Sequence, residues 1–317
     1  MIPFLKLVRI QNLLIVAATQ YLMRFAIIRP ILKISDFSLQ LSEFNFFILV
    51  FSTVCLTAAG YVINDYFDTK TDLLNRPKEV VVGHSISRRV AMALHIVLNM
   101  IGVVGGIYIS YRVGHIKFGF IFILVSGLLW FYSTNFKRQF LIGNLIVSIL
   151  TGLVPLMVIV YEMPLLNHAY ADILISNQTN LYPIFYWILG FSFFAFITTL
   201  IREIIKDTED FEGDSAYGRN TLPIVLGLLY TKIIVVLLSL ITISAIAIIY
   251  FRFLEGSLLT LVYLALGQLV PFSFLIFKII TARSKVDYHF ASGLLKIVML
   301  TGILYSVVAA YIFLYTF

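Results

Sequence analysis

Cysteine and charged residues are both scarce in this sequence. Cys55 is the only cysteine among 317 residues, which excludes an internal disulfide and a cluster of thiolate metal ligands. Charged residues make up 12% of the chain, against about 25% in a soluble globular domain, so water is not its main solvent. The sequence also has no Pro/Ser/Gly-rich linker and no low-complexity tract. We therefore expect one integral domain over residues 1–317.

Apolar residues dominate the rest of the sequence. They make up 61% of the chain, and its mean hydropathy is +0.99. Apolar runs of about 20 residues, enough to cross roughly 30 Å of hydrocarbon as a helix, recur along the chain. The nine runs are centred near Val16, Val54, Val104, Leu124, Leu150, Phe193, Leu240, Gly267 and Ser306. This pattern predicts an all-α, multi-pass membrane protein with nine transmembrane helices.

Lysine and arginine are distributed unevenly between alternating links. The N-terminal segment and the links after spans 2, 4, 6 and 8 hold sixteen of them, whereas the opposite links hold only Arg29, Lys33, Arg112, Lys117 and Arg252. By the positive-inside rule, we expect the N-terminus to lie in the cytoplasm. We also expect the membrane to be a cytoplasmic membrane of bacterial or archaeal type. The first apolar run has no small-residue cleavage site after it, so we expect it to remain as a span. The net charge of +7 then reflects topology, and no nucleic-acid partner is expected.

Acidic residues cluster in two of the cytoplasmic links. Ten of the sixteen acids lie there, although acids contribute little to membrane topology. They are Asp65, Asp68, Asp72, Glu79, Glu203, Asp207, Glu209, Asp210, Glu212 and Asp214. The two clusters follow spans 2 and 6, which suggests an internal repeat of four-helix units with the active site between its halves.

The first cluster contains Asn64-x₃-Asp68-x₃-Asp72. If span 2 continues as a helix past Asn64, this spacing places the three side chains along one helix face. Oxygen ligands one turn apart suit Mg²⁺, which is typically shared between one or two carboxylates, water and substrate phosphate. Asp210-x₃-Asp214, with Asp207 and Glu203 one and two turns upstream, forms the second cluster. Two such groups facing each other could hold Mg²⁺ ions around one diphosphate.

Two other interpretations of the acids remain open at this point. They could be ordinary solvated loop charges, but two matched motifs, each at the end of a membrane span, argue against that. They could also be ion sites of a transporter, although such sites usually lie near the bilayer midplane on broken helices. Basic residues interleave with the acids, as binding of a diphosphate requires: Arg76, Lys78, Lys137, Arg138, Arg202 and Lys206.

These residues resemble a known family. Asn64-Asp65-x₂-Asp68-x₃-Asp72-x₂-Asn75-Arg76-Pro77 resembles the first signature of the UbiA-type intramembrane prenyltransferases. Arg202-Glu203-x₂-Lys206-Asp207-x₂-Asp210-x₂-Gly213-Asp214, followed by Gly218-Arg219-x-Thr221-Leu222-Pro223, resembles the second. The family pattern is also matched by Arg9, Asn12, Tyr132-Ser133, Lys137-Arg138 and Gly143-Asn144. The resemblance covers the whole chain.

The resemblance implies a helical bundle whose central cavity is capped on the cytoplasmic side by the two polar loops. The ligands of Mg²⁺ and the catalytic residues would be Asn64, Asp68, Asp72, Asp210 and Asp214. Substrate contacts would come from Asn12, Arg76, Tyr132, Lys137, Asn144, Arg202, Lys206 and Asp207. The donor would be a prenyl diphosphate whose tail enters from membrane lipid through a lateral opening.

The acceptor is less well defined than the donor. The stretch from Arg202 to Asp214 most resembles the branch of the family that prenylates geranylgeranylglyceryl phosphate, and extra cations would suit an acceptor with its own phosphate. The alternative is an aromatic acceptor, a dihydroxynaphthoate or hydroxybenzoate, which would give a quinone precursor.

One charged residue lies within the first span. Arg24 is costly there and marks a functional hypothesis by default. Because it lies nearer the outer face, we expect its side chain to extend towards the membrane surface.

Overall fold

The computed structural model describes residues 2–75, 77 and 80–315, apart from the side chain of Asn75. In this part of the chain there are helices and no β-strands. The α-helices are α1 (Ile2–Leu7), α2 (Ile10–Leu22), α3 (Arg29–Ile34), α4 (Glu43–Asn75), α5 (Arg88–Arg112), α6 (Gly119–Thr134), α7 (Ile142–Ala169), α8 (Ala171–Ser176), α9 (Tyr182–Glu209), α10 (Phe211–Ala216), α11 (Leu222–Ile249), α12 (Leu258–Leu264), α13 (Val270–Thr281) and α14 (Lys285–Tyr315). The all-α prediction is confirmed.

Nine helical segments of the described chain are long and apolar enough to cross a membrane. They are Ile10–Ile34, Glu43–Leu74, Arg88–Arg112, Ile116–Thr134, Ile142–Ala169, Tyr182–Glu209, Leu222–Leu254, Leu258–Thr281 and Lys285–Tyr315. Each contains one of the predicted span centres, so the nine-span prediction is confirmed. Short π-helical turns, such as Ala265–Leu269 before Pro271, join pieces of the first and eighth spans. Proline is tolerated at the first turn of the helix piece that follows.

Many large apolar side chains lie on the outside of the helices. Phe120, Leu229 and Leu266 are each more than 60% exposed: 69%, 68% and 66%. A soluble monomer rarely exposes apolar surface on this scale, whereas contact with lipid costs these side chains nothing. The exposed apolar faces therefore agree with an integral membrane protein.

The chain divides into two compact units. Unit 1 comprises Met1–Lys137 and Val154–Ile188, and unit 2 comprises Arg138–Leu153 and Leu189–Phe317. The first acidic motif belongs to unit 1 and the second to unit 2. The single domain and the four-helix repeat both stay predictions.

In unit 1, glycines allow α5 to pack closely on α4 and α6. A Cβ atom at Gly102 would lie 2.7 Å from Leu56 Cγ, and one at Gly106 would lie 2.1 Å from Phe122 Cγ. Such distances are too short for any side chain, so only glycine permits these approaches. Small residues at helix interfaces are the usual basis of close packing in membranes. This packing supports α4, the helix that carries the first motif.

Arg24 does not extend to the membrane surface, so that expectation is wrong. Its side chain is 1% exposed and pairs with Glu162, which is 0% exposed, at 3.0 Å between Nη1 and Oε2. It also pairs with Glu43 at 3.1 Å and donates a hydrogen bond to the carbonyl of Leu41. The guanidinium lies 4.4 Å from the ring centroid of Phe46. Arg24 is buried because α7 supplies an opposite charge.

In unit 2, the end of α9 that carries the second motif packs into an apolar core. Ile201, Ile204 and Ile205 of α9 are buried with Phe272 of α13 and Leu295 of α14. Contacts of this kind fix the helix and orient the polar side chains on its other face.

Candidate functional site

The first motif lies on an uninterrupted helix. α4 runs from Glu43 to Asn75 and so continues past Asn64. Asn64, Asp68 and Asp72 therefore lie one helical turn apart along one face, as their spacing predicts for a continuous helix. Asp68 is 7% exposed and the other two are partly exposed. The continuous helix therefore presents an amide oxygen and two carboxylates in a row.

A lysine neutralises part of this row. Lys137 Nζ lies 2.8 Å from Asp68 Oδ1 and 3.2 Å from Asn64 Oδ1, and the lysine side chain is 5% exposed. It follows α6, in a short 3₁₀ turn, Phe136–Arg138. A charge-assisted bond in a partly buried position is among the stronger polar contacts. Two of the predicted metal ligands thus converge on one cationic group.

The N-terminal segment binds the same helix from another side. Arg9 Nη2 lies 2.9 Å from Asp65 Oδ1, and its guanidinium lies 4.8 Å from the centre of the Tyr61 ring. Asn12 donates a hydrogen bond to Tyr61 Oη at 3.1 Å. Arg9 has φ of 51° at the break between α1 and α2, a left-handed conformation that is uncommon for arginine. Asp65 is therefore engaged by the N-terminal segment.

The loop after the first motif packs on the same part of unit 1. Val81 and Val82 are buried with Leu7 and Val8 of the N-terminal segment. At the start of α5, the guanidinium of Arg88 lies 4.1 Å from the centre of the Tyr66 ring. Of the predicted basic residues that follow this motif, Arg76 and Lys78 lie outside the described residues. This loop is the part of the predicted cap that the structure describes in unit 1.

The second motif crosses a helix break. α9 ends at Glu209, Asp210 has φ of −93° and ψ of 10°, and α10 begins at Phe211. The amide N–H of Asp210 donates to the carbonyl of Lys206 at 2.9 Å, and that of Asp214 donates to the carbonyl of Asp210 at 3.0 Å. Asp207 and Asp214 therefore lie on different helices, which the sequence reading did not anticipate.

Two acids on either side of the break, Asp207 and Asp214, have polar partners within unit 2. Asn144 Nδ2 donates to Asp207 Oδ2 at 2.8 Å. Asp214, 2% exposed, pairs with Arg219 at 3.1 Å between Oδ1 and Nη1. Asn144 lies in α7, so two of the predicted substrate contacts, Asn144 and Asp207, bind each other.

The two cations beside the second motif share one carboxylate. Arg202 Nη1 lies 2.8 Å from Glu203 Oε1, and Lys206 Nζ lies 3.3 Å from Glu203 Oε2. All three side chains are between 13% and 23% exposed, which leaves them within reach of a ligand. The sequence places Glu203 in the second acidic cluster, and in the structure its carboxylate binds these two cations.

One contact at the second motif had no signal in the sequence. Glu209 Oε1 lies 3.0 Å from Nδ1 of His289, a residue of α14 that is 80 positions further along the chain. A pattern within one segment cannot reveal a contact between residues 80 positions apart in the chain.

Tyr132, the remaining predicted substrate residue, is half-buried near the end of α6.

The oxygen ligands fit Mg²⁺ as an open site. Among the described residues, no three His, Cys, Asp or Glu side chains form a closed metal cluster. Mg²⁺ usually takes only one or two protein carboxylates and completes its shell with water and substrate phosphate. The convergence of Asn64 and Asp68 oxygens on the Lys137 ammonium indicates that these atoms can share a cation. The residues present therefore suit an ion that arrives with a diphosphate.

Comparison with curated proteins finds relatives named digeranylgeranylglyceryl phosphate synthase. The chain is 34% identical over 63% of its length to digeranylgeranylglyceryl phosphate synthase of Methanothermobacter thermautotrophicus, with 63% of that protein covered. It is 31% identical over 80% of its length to the protein of the same name from Methanosphaera stadtmanae, with 84% covered. The matched part thus spans slightly less than two thirds of the first relative and most of the second.

Solved structures share the fold. A structure described as digeranylgeranylglyceryl phosphate synthase in membranes has a TM-score of 0.66 at 23% identity and covers 97% of both chains. A UbiA homologue from Archaeoglobus fulgidus bound to DMAPP and Mg²⁺ has a TM-score of 0.60 at 16% identity, covering 98% of this chain and 99% of that one. The model of the UbiA prenyltransferase family matches residues 36–294, a stretch that contains both acidic motifs. The chain belongs to the UbiA prenyltransferase family.

Proposed function

We propose that this prenyltransferase transfers a geranylgeranyl group from geranylgeranyl diphosphate to geranylgeranylglyceryl phosphate, with Mg²⁺ and with release of pyrophosphate. The bond between prenyl C1 and the diphosphate oxygen breaks, and the free hydroxyl oxygen of the glycerol bonds to C1 and loses its proton. The observation that carries the proposal is the match to relatives named for this product across a segment holding both acidic motifs. The ion-coupled transporter interpretation has no support from this match.

The residues of the first motif are proposed to bind the donor's diphosphate through Mg²⁺. Asn64, Asp68 and Asp72 supply oxygens on one helix face. Bound metal neutralises charge that develops on the leaving diphosphate. Lys137, already in contact with two of these oxygens, would exchange part of that contact for a phosphate oxygen. Arg76, which lies outside the described residues, is also proposed to bind the diphosphate.

The residues of the second motif are proposed to bind Mg²⁺ and a diphosphate and, in part, the acceptor. Asp210 and Asp214 act as further Mg²⁺ ligands, and Asn144 holds Asp207 in place at 2.8 Å. Arg202 and Lys206, partly exposed around Glu203, would bind the phosphate of the acceptor by charge-assisted hydrogen bonds. Asn12 and Tyr132 are proposed to contact substrate from unit 1.

We also propose that the N-terminus and the site face the cytoplasm, on the basis of the sixteen-to-five charge asymmetry. Cys55 is buried, so cysteines introduced at exposed positions can be labelled selectively. Ser87→Cys and Ser215→Cys should react only from the cytoplasmic side, and Ser176→Cys only from outside. The reverse pattern would contradict the orientation and leave the chemistry untouched.

The acceptor is tested by assay of purified protein with labelled geranylgeranyl diphosphate and a panel of acceptors. We expect Mg²⁺-dependent transfer to geranylgeranylglyceryl phosphate and none without the metal. Transfer to a dihydroxynaphthoate or hydroxybenzoate, with none to the glycerophosphate, would show that the aromatic alternative is correct. Absence of transfer to every acceptor, with no release of pyrophosphate, would contradict prenyl transfer by this site.

A further inference from the structure

A buried carboxylate lies next to Asp210 in the second motif and contacts a histidine of another helix. Glu209 is the last residue of α9 and its side chain is 5% exposed. Its Oε1 lies 3.0 Å from Nδ1 of His289, whose ring is 77% exposed. A buried carboxylate needs such a partner, because leaving it unpaired is costly. The contact links the residue before Asp210 to α14.

The helix that supplies His289 begins in a fixed position. Asp287 Oδ2 accepts hydrogen bonds from the backbone N–H groups of Arg283 and Ser284 and from Ser284 Oγ, each at 2.9 Å. A side chain that caps the first turn in this way stabilises the start of a helix. Tyr288, next to His289, is buried in the core of unit 2. His289 thus stands on a rigid turn.

The chain at Glu209 is where the second motif changes direction. Upstream, α9 is held by its buried isoleucines and by the bond between Asp207 and Asn144. Downstream, Asp214 is held by Arg219. Asp210 lies between these two fixed points, at the break between α9 and α10. The contact with His289 is made by Glu209, the residue next to Asp210, and it joins the motif to α14.

We propose that His289 is a positioning residue for the second motif: by binding Glu209 it holds the turn at Asp210 in the geometry that binds Mg²⁺ and diphosphate. This inference rests on the proposed function of Asp210 and Asp214. His289 itself touches neither substrate nor metal and acts through Glu209. The alternative is that the contact between Glu209 and His289 is an ordinary surface ion pair. Such a pair would contribute nothing measurable to ligand binding.

The test measures binding of inorganic pyrophosphate in the presence of Mg²⁺ to the purified full-length protein by calorimetry. His289→Ala should weaken binding about fivefold, the loss expected for one hydrogen bond of ordinary strength. His289→Gln should stay within about twofold of wild type, since its amide can donate to Glu209. His168→Ala, a matched change of an exposed histidine in unit 1, should have no effect. Unchanged binding by His289→Ala would overturn the proposal.

A second variant separates positioning from general destabilisation. Adding His289→Ala to Glu209→Ala should cause no further loss of pyrophosphate binding, because the two residues act through one contact. Additive losses of pyrophosphate binding would overturn the role of His289. So would a loss of binding in His289→Ala that accompanies a lower melting temperature and is not restored by His289→Gln.

Different experimental results would contradict the proposed function and the role of His289. Asp210→Ala should abolish Mg²⁺-dependent binding of pyrophosphate, and a wild-type protein that binds none would overturn the site and, with it, the role of His289. Wild-type binding with no transfer to geranylgeranylglyceryl phosphate would overturn the acceptor only, and the fivefold effect of His289→Ala would still support the inference.

Discussion

The first acidic motif lies on one continuous helix, whereas the second crosses a break between two helices. In unit 1, α4 alone sets the spacing of Asn64, Asp68 and Asp72. In unit 2, Asp207 lies in the last turn of α9 and Asp214 belongs to α10. The spacing in the second motif therefore depends on side chains from elsewhere in the unit.

The two motifs also differ in their polar partners. In unit 1, the ammonium of Lys137 directly contacts two of the proposed metal ligands. In unit 2, a neutral amide holds Asp207, Arg219 holds Asp214, and His289 holds Glu209. We infer that the first motif is preorganised by its helix and binds the donor's charge directly. The second motif is assembled by tertiary contacts, so more of its important residues lie away from the motif.

The largest expected effects come from removing one proposed metal ligand in each unit. Asp68→Ala and Asp210→Ala should each lower turnover at least 100-fold, about 2.7 kcal/mol in the barrier, because each loses a ligand of Mg²⁺. The measurement is prenyl transfer by protein that remains folded by circular dichroism. If only one of the two variants loses activity, the motifs do not contribute alike. Activity within about threefold of wild type for both would contradict the site.

A second prediction asks whether the geometry of the first motif depends on α4 alone or also on the buried ion pair between Arg24 and Glu162. Arg24→Met should destabilise the protein by about 3–5 kcal/mol, because it leaves the charge of Glu162 buried and unpaired. The donor KM of the folded protein should not change. Adding Glu162→Gln should restore most of the stability, since it removes the charge and keeps an acceptor for the backbone N–H groups of Gln40 and Leu41.

Unfolding in detergent, followed by circular dichroism, measures these stabilities. A double variant that is less stable than Arg24→Met alone would show that the carboxylate of Glu162 has another role. A raised donor KM in Arg24→Met would show that the first motif depends on tertiary contacts as the second does.

The outcome for Arg24 also shows where sequence reasoning stops. The apolar residues around Arg24 can be recognised in the sequence. Its partner Glu162, however, is 138 residues away along the chain, and no local pattern connects the two. The same limit applies to Glu209 and His289. By contrast, the nine spans depend on hydropathy within one segment and were predicted. The shared face of Asn64, Asp68 and Asp72 was predicted on the condition that the helix continues past Asn64, which α4 meets. The break after Glu209 was missed because residues 207–212 contain neither glycine nor proline.

A third prediction compares the partners of the two motifs. Lys137→Met should raise the donor KM about 10- to 100-fold, because a charge-assisted contact is worth about 1.5–3 kcal/mol. Asn144→Ala should raise it by less, about fivefold, since the amide acts on the donor only through Asp207. Steady-state kinetics with geranylgeranyl diphosphate give both values. A larger effect of Asn144→Ala than of Lys137→Met would reverse the proposed difference between the motifs.

The last prediction, which is the sharpest for the acceptor, concerns Arg202 and Lys206. Both cations contact Glu203 rather than an acid proposed to bind metal, so they are available to a phosphate other than the donor's. Arg202→Gln and Lys206→Gln should each raise the KM for geranylgeranylglyceryl phosphate about tenfold, as expected for a lost charge-assisted hydrogen bond. The donor KM should change less than threefold. Glu203→Gln is the matched control, because it keeps both cations and removes only the carboxylate between them. It should leave the acceptor KM near the wild-type value or lower it. An equal rise in both KM values would assign these cations to the donor's diphosphate, and the second motif would then resemble the first in binding the donor's charge directly.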